Sequence, residues 1–311
     1  MPDDSITAPA THVPAIPPLP HALSGERHET TGRAGRLSYY VAGEGRPLLL
    51  VHSVNAAASA CEVRPIFEHA KASRRVYAVD LPGYGFSDRA PREYNVALFV
   101  ASIRDMLDVI AGDRSGAPVD VLALSLGAEF VARAATETPA RFRTLTFVTP
   151  TGFSRRASAA PAPAGATREI PGLYRALQCP LWRRGVFRLL TSRRSIRYFL
   201  GRTWGSPRVD EGLLEYDVVT AQQRGARNAP YAFVSGRLFS RDIVQVYRAL
   251  QMPVWVPHGT RGDFGDFSRA DLIADRPNWS FQAFDAGALP HFERTAEFLA
   301  AFDRFLDAPR D

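Results

Sequence analysis

The sequence predicts an α/β fold with a mostly parallel central sheet, helices on both faces of the sheet and an inserted helical cap. Two observations predict the core: short apolar runs that have the length of buried strands, and amphipathic segments that separate them. A third predicts the cap, because this alternation stops over residues 154–250 and then resumes. A chain of 311 residues, 46% of them hydrophobic, is long enough for one large core with such an insertion.

Six apolar runs mark the expected strands, and helical patterns lie between and after them. A helix is predicted between the second and third runs, where apolar residues recur at three- and four-residue spacing, and another near 295–306. Strands that alternate with helices pair in parallel and are covered on both faces. The runs are 48–51, 76–79, 119–123, 145–148, 252–256 and 279–284.

These patterns divide the chain into an arm, a core and a cap. Residues 1–32 are rich in proline, most densely over 14–20, which predicts a flexible arm of extended, polyproline-like backbone. Residues 33–153 and 251–311 form the predicted core. Residues 154–250 form the predicted cap, which interrupts this one domain without founding a second.

Positive charge is concentrated in the predicted cap. The chain carries a formal charge of +6, and residues 154–250 hold 17 Arg against six Asp plus Glu. No helix-turn-helix, zinc-finger or stacking-aromatic pattern accompanies the arginines, so no nucleic-acid partner is expected. Two interpretations remain open: a solvated, arginine-rich helical surface, or attraction for anionic substrates or lipid headgroups.

The remaining composition predicts a cytoplasmic protein without a metal or another cofactor. No apolar stretch approaches the roughly 20 residues of a membrane-spanning helix, and the N-terminus lacks the pattern of a secretory signal. Membrane association is therefore not expected, whereas a homodimer stays open. Cys61 and Cys179 lie far apart without a histidine at ligand spacing, so neither a disulfide framework nor a zinc site is predicted.

Residues whose side chains could take part in catalysis directly follow three of the predicted strands. In open α/β sheets functional groups emerge at the carboxyl ends of the strands, which makes these positions the ones to inspect. Residues 52–55 are His-Ser-Val-Asn, and residues 80–88 are Asp-Leu-Pro-Gly-Tyr-Gly-Phe-Ser-Asp. Residues 123–127 are Ala-Leu-Ser-Leu-Gly and lead straight into a helical pattern.

The third of these segments resembles the nucleophile elbow of the α/β-hydrolase superfamily. The loop at 80–87 is similar to the D-x-x-G-x-G-x-S loop of that superfamily, and the likeness covers both halves of the core. It implies that Ser125 is the nucleophile, which places the chain outside the branches that attack with Asp, such as epoxide hydrolases and haloalkane dehalogenases. Ala123 replaces the usual first glycine of the elbow, and Gly127 is retained.

A strand that turns sharply into a helix holds Ser125 in a strained conformation with its hydroxyl exposed. The alternative is that Ser125 completes a fold whose catalysis has been lost. The resemblance also implies that the backbone N–H groups of Val54 and Leu126 stabilise an oxyanion, each typically contributing about 3 to 4 kcal/mol. Ser53 stands where the superfamily usually has glycine. For His52, a structural hydrogen bond beneath this loop is expected rather than base chemistry.

The resemblance implies that a general base and its orienting acid follow the elbow, the acid first. Asp263 is the expected acid and Asp266 its rival, and the alternative for either is a turn-forming Asp beside glycine. The superfamily usually reads G-H-x-x-H-x-E after its last strand. Alignment on Gly287 and Glu293 puts Ala288 at the usual catalytic histidine and His291 at the second one.

Only two histidines, His258 and His291, follow the elbow, and His291 is the expected base. Two explanations compete for this departure: either His291 takes the proton from Ser125, or the site has lost its base. The apolar residues of the cap either line a substrate tunnel or seat the cap helices on the core.

The resulting prediction is a metal-free hydrolase of carboxylic esters or related acyl compounds that forms a covalent acyl-Ser125 intermediate. His291 would act as base and acid, Asp263 would orient it, and the small-molecule substrate would have an apolar body and an anionic end. Carbon–carbon hydrolysis and perhydrolysis stay open. The alternatives are a catalytically impaired α/β-hydrolase fold used for ligand binding or protein interaction, and a cap-mediated role at a lipid surface.

Overall fold

One eight-stranded sheet organises the protein. The computed structural model of the chain describes residues 16–114, 116–155, 157, 160 and 162–309. Five of the six predicted apolar runs lie wholly on a strand of the sheet, and the run at 252–256 lies on a strand from Val254 onward. The strands are β1 (Glu26–Gly32), β2 (Gly35–Ala42), β3 (Arg46–Val51), β4 (Arg74–Asp80), β5 (Val119–Leu124), β6 (Phe142–Val148), β7 (Val254–Gly259) and β8 (Trp279–Phe284).

The order of the strands is β1-β2-β4-β3-β5-β6-β7-β8. β1 pairs with β2, and β2 with β4, in antiparallel fashion, whereas every pair from β4 to β8 is parallel. The carboxyl ends of β3, β5, β6, β7 and β8 therefore meet at one edge of the sheet. This confirms the predicted fold class.

The end of the predicted arm differs from the prediction, because Glu26–Gly32 forms the edge strand β1. Its residues are exposed or half-buried, so no apolar run marked it in the sequence. Residues 16–20 lie along the cap: the Pro17 carbonyl accepts from Gln223 Nε2 at 2.9 Å and the Pro20 carbonyl from the Tyr216 hydroxyl at 3.0 Å. Residues 1–15 lie outside the described residues, so their flexibility stays a prediction.

The helices fall into two groups along the chain. Within the described residues, none is long and apolar enough to cross a bilayer. Flanking the sheet are α1 (Arg64–Ala70), α2 (Val96–Arg114), α3 (Gly127–Glu137), α10 (Pro290–Glu293) and α11 (Thr295–Asp307). Between β6 and β7 lie α4 (Leu173–Leu177), α5 (Arg183–Leu190), α6 (Arg193–Trp204), α7 (Glu211–Ala221), α8 (Asn228–Val234) and α9 (Ile243–Ala249).

Apolar layers on both faces of the sheet fix the ends of its central strands. On one face α2 and α3 pack through Phe99 and Phe130, whose ring centroids are 4.7 Å apart. On the other, Trp255 of β7 contacts Phe298 of α11 at 5.5 Å. Because burial on both faces holds the strands rigidly, the loops at their carboxyl ends start from fixed positions.

Candidate active site

The turn at Ser125 has the conformation that a nucleophile elbow requires. Ser125 has a φ of +48°, a left-handed value that costs energy for a residue with a side chain. Its backbone N–H donates to the Val148 carbonyl at 2.9 Å, which ties the turn to the end of β6. The side chain is half-buried and makes no hydrogen bond within the described residues. No neighbouring group therefore holds the Ser125 hydroxyl within the described residues.

The loop after β3 lies directly against this turn. A Cβ atom at Gly127 would stand 2.6 Å from the His52 carbonyl oxygen, so only glycine permits this approach. The backbone N–H groups of Val54 and Leu126 donate to no other group within the described residues. Both predicted oxyanion donors are therefore unpartnered, and their role stays a prediction.

A buried glutamate, Glu62, accepts hydrogen bonds from the loop after β3. Glu62, in a 3₁₀ helix at Ala60–Val63, accepts from the Ser53 backbone N–H at 2.8 Å and from the Ser53 hydroxyl at 3.0 Å. It also accepts from Asn55 Nδ2 at 2.7 Å. Burial raises the pKa of Glu62, and the hydrogen bonds from Ser53 and Asn55 oppose that shift. Ser53, which stands where the superfamily usually has glycine, thus has Glu62 as its hydrogen-bond partner.

The cap adds a second buried carboxyl group near Glu62. Asp217 of α7 is 3% exposed, and its Oδ1 has no hydrogen-bond partner within the described residues. Burial, and then repulsion from Glu62, raises the pKa of Asp217 well above its usual range. A carboxyl group from the helices between β6 and β7 therefore lies close enough to Glu62 for the two groups to interact.

His52 and Asp80, which follow β3 and end β4, form hydrogen bonds with backbone groups. His52 is fully buried and accepts from the Leu81 N–H through Nε2 at 2.9 Å, which agrees with the structural role expected for it. Burial lowers the pKa of His52 to about 4. Asp80 accepts from the N–H groups of Ala60 and Phe86, each at 3.0 Å. These bonds fix the loop at 80–88 against the loop that carries Val54.

Neither candidate acid contacts a histidine within the described residues. Asp263 is 43% exposed and forms an ion pair with Arg202 of the cap, and its N–H donates to the Arg202 carbonyl at 3.1 Å. Asp266 accepts from the Arg155 N–H at 2.8 Å and from the Ser268 hydroxyl at 2.6 Å. These hydrogen bonds lower the pKa of Asp266 to about 2. The Asp263 carboxylate thus links the loop after β7 to α6, and the Asp266 carboxylate links it to Arg155.

The loop that carries Ala288, after β8, packs against the end of α6. The Ala288 N–H donates to the Thr203 carbonyl of α6 at 2.9 Å. A Cβ atom at Gly287 would overlap Thr203 and Trp204, and one at Gly262 would overlap Arg202. The loops after β7 and β8 and the end of α6 therefore pack backbone against backbone.

His291, one helical turn later, is fully buried. Its Nε2 donates to the Glu62 carbonyl oxygen at 2.8 Å. Because a carbonyl only accepts, Nε2 carries the hydrogen and Nδ1 is the basic nitrogen, which has no partner within the described residues. Burial lowers the pKa of His291 to about 4. No hydrogen bond joins His291 to Ser125 or to Asp263 within the described residues, so its role as base stays a prediction.

His258, the other histidine after the elbow, is half-buried and stacks on Phe267 with ring centroids 4.1 Å apart. It hydrogen-bonds neither Ser125 nor a carboxylate within the described residues. Burial lowers its pKa as well.

A cavity of about 690 Å³ opens beside the cap, between the arm, the loop at 85–91 and residues 223–228. Pro17, Leu19 and Phe86 contribute apolar walls. Arg224 and Arg227 also line it and form no ion pair within the described residues. Ser125 is not among the residues that line this cavity.

The family model of the alpha/beta hydrolase family matches residues 36–301. The chain belongs to this family. The match spans both halves of the sheet and the helices between β6 and β7, as the resemblance of the elbow predicted. No curated protein sequence matches this hydrolase.

Solved structures of several hydrolases share the fold of this alpha/beta hydrolase. A serine hydrolase involved in carbazole degradation has a TM-score of 0.73 at 16% identity, covering 92% of this chain and 100% of its own. A carboxylesterase from Bacillus subtilis has 0.67 at 18%, covering 92% and 93%. An epoxide hydrolase has 0.70 at 18%, covering 92% and 99%. At these identities the likeness establishes the fold alone.

Sequence reasoning missed two buried carboxyl groups that interact beside the loop after β3, those of Glu62 and Asp217. Glu62 is a lone acid in an otherwise small and apolar stretch, which is the one signal that could have marked it. Asp217 lies on a helix with acidic neighbours at 210, 211 and 215, so nothing in the sequence separates it from them.

Proposed function

We propose that this alpha/beta hydrolase cleaves carboxylic esters or related acyl compounds through a covalent acyl-Ser125 intermediate. The observation that carries the proposal is the left-handed turn at Ser125, with a hydroxyl that has no partner within the described residues. Backbone strain of this kind persists where function requires it. The unpartnered N–H groups of Val54 and Leu126 support it, because a tetrahedral intermediate needs such donors.

In the proposed reaction Ser125 Oγ bonds to the carbonyl carbon, and the alcohol departs with the proton that Ser125 loses. Water then adds to the acyl-serine, which releases the carboxylic acid and restores the hydroxyl. The substrate is a small molecule with an apolar body. An anionic end would fit Arg224 and Arg227, which line the cavity between the arm, the loop at 85–91 and residues 223–228.

His291 is the proposed proton carrier, and the tautomer supports this role. Because Nε2 donates to the Glu62 backbone carbonyl oxygen, Nδ1 offers the lone pair that a general base needs. The proposal requires the ring to reach Ser125 during the reaction. Asp263 would then leave Arg202 to orient the ring.

A second candidate function is a ligand-binding protein with an impaired hydrolase site. The observation that favours it is Ala288, held by Thr203 at the usual position of the catalytic histidine. Such a protein would keep the elbow and lose turnover, because acylation without a base falls to what binding and the oxyanion donors provide.

Turnover of p-nitrophenyl esters of graded chain length tests the two functions against each other. The proposed hydrolase releases p-nitrophenol catalytically, with an initial burst if deacylation is slow. In Ser125→Ala the rate should fall by about three or more powers of ten. A folded wild-type protein that binds the esters without turnover would support the second function and refute the first.

A further inference from the structure

The outer side of the cap exposes large apolar side chains beside arginines. Leu181 is 87% exposed, Leu189 73% and Tyr198 57%, and Ile170, Trp182 and Phe199 are about half exposed as well. Soluble proteins rarely leave such a concentration of large apolar groups in water without a use for it. We call the exposed apolar residues and arginines of 170–202 the cap outer face.

Helical geometry places these side chains away from the core. On α5 the buried Phe187 packs against Tyr231, with ring centroids 5.9 Å apart. At about 100° per residue, Leu189 points to the opposite side of α5, and Arg188 is exposed on the flank of the helix. On α6 the buried residues are Ile196 and Trp204, which leaves Arg194 and Tyr198 outward. The two helices are separated only by residues 191–192 and contact each other, so their exposed residues lie on neighbouring elements.

The cap outer face has an unbalanced positive charge. Between residues 175 and 202 the chain has eight Arg and no Asp or Glu. Glutamates of α7 pair with Arg193 and Arg197, and Asp263 pairs with Arg202. The others form no ion pair within the described residues: Arg175, Arg183, Arg184, Arg188 and Arg194.

From this combination we infer that the cap outer face docks on anionic lipid surfaces. Exposed leucine and tryptophan side chains enter the boundary between headgroups and acyl chains, while arginines pair with lipid phosphates. Contact with a second copy of the chain fits less well, because a twofold interface would bring the same unpaired arginines together. The docking is peripheral, and it favours the lipid-surface role that the arginines of the predicted cap left open over the expectation that the protein does not associate with membranes.

Sedimentation with phosphatidylcholine vesicles, with and without phosphatidylglycerol, tests the inference on the full chain. Binding is expected only with phosphatidylglycerol, and it should weaken as salt screens the charges. Arg184→Gln with Arg188→Gln should weaken binding about 25-fold, at about fivefold per arginine. Arg46→Gln with Arg304→Gln removes two exposed arginines elsewhere and should have little effect.

The apolar part of the face has its own test. Leu181→Ser with Leu189→Ser should abolish stable binding while leaving circular dichroism unchanged, because both side chains are exposed. Trp182 emission should shift to the blue on anionic vesicles, and Trp182→Phe should remove that shift. Equal binding to both vesicle types, or equal loss in the arginine control, would overturn the inference. So would a dimer, seen by light scattering, that the double leucine variant dissociates.

Discussion

The two sides of the candidate site depart from the superfamily pattern to very different degrees. On the elbow side, the Ser125 turn and the unpartnered N–H groups of Val54 and Leu126 follow the pattern closely. On the side of β7 and β8, alignment of the sequence puts Ala288 where the superfamily usually has its histidine, and Asp263 pairs with Arg202 of α6. The proposed nucleophile and its proposed base can therefore be tested separately.

The difference shows which parts of such a site depend on backbone and which on side chains. The elbow is a backbone geometry that the sheet and Gly127 enforce, so it persists wherever the strand and helix persist. The acid and base are side chains on loops, and loops change without cost to the core. Here the end of α6 fills the space between those loops.

The largest effect that would sharpen this comparison is expected at His291. His291→Gln should lower the acylation rate about 10³-fold, as for loss of a general base. A base acts when neutral, and burial lowers the pKa of His291 to about 4. The wild-type rate should therefore be level from neutral pH down to about pH 5 and fall below that, as a pH series of acylation rates would show. A fall in the acylation rate already near pH 6.5 would indicate that the base is a solvated group rather than the buried His291.

The contact between the loop and the cap is expected to matter for stability. Gly287→Ala places a methyl group against the backbone of Thr203 and Trp204, which should cost about 1–3 kcal/mol of unfolding free energy. Gly112→Ala in α2 is the matched control, since its added methyl group would contact nothing within 4 Å. That control should raise stability by about 0.4–1 kcal/mol. Equal urea midpoints for the two variants would contradict the close packing.

The hydrogen bonds that Glu62 accepts from Ser53 and Asn55, in the loop after β3, predict a moderate effect of a substitution at Glu62 on turnover. Glu62→Gln replaces one accepting oxygen by an NH₂ group, which leaves a donor of Ser53 or Asn55 without a partner. The turnover number should fall about tenfold, the equivalent of roughly 1.4 kcal/mol, with little change in substrate affinity. Because Ser53 supplies two of the hydrogen bonds, Ser53→Gly should reduce the further cost of Glu62→Gln. Strict additivity in this double-mutant cycle would argue against the coupling.

The smallest expected effect concerns the charge of the substrate. Carboxylated esters should react about two- to fivefold better than neutral esters of equal length, the range for an exposed ion pair. Arg224→Gln with Arg227→Gln should remove that preference, because these arginines line the cavity beside the cap. If the ratio of kcat/KM for carboxylated esters to kcat/KM for neutral esters is the same in wild type and variant, the cavity takes no part in substrate recognition.

The sequence predicted the parallel core because apolar runs and helical periods are local signals. It missed β1, whose polar residues pair only at the sheet edge, and Asp217, whose burial depends on how the cap packs. The motif at Ser125 was also predictable, because a turn has a local sequence requirement. The partners of Asp263 and His291 were not, since Arg202 and Glu62 lie 61 and 229 residues away along the chain.

The most direct test of the central claim is to locate the adduct that a fluorophosphonate forms. Peptide mass spectrometry of the labelled, folded protein should place the phosphonyl group on Ser125, and Ser125→Ala should carry none. The elbow would then hold a reactive hydroxyl, whatever the identity of its base. An unlabelled wild-type protein, or an adduct on another residue, would contradict the proposed nucleophile and leave only the fold.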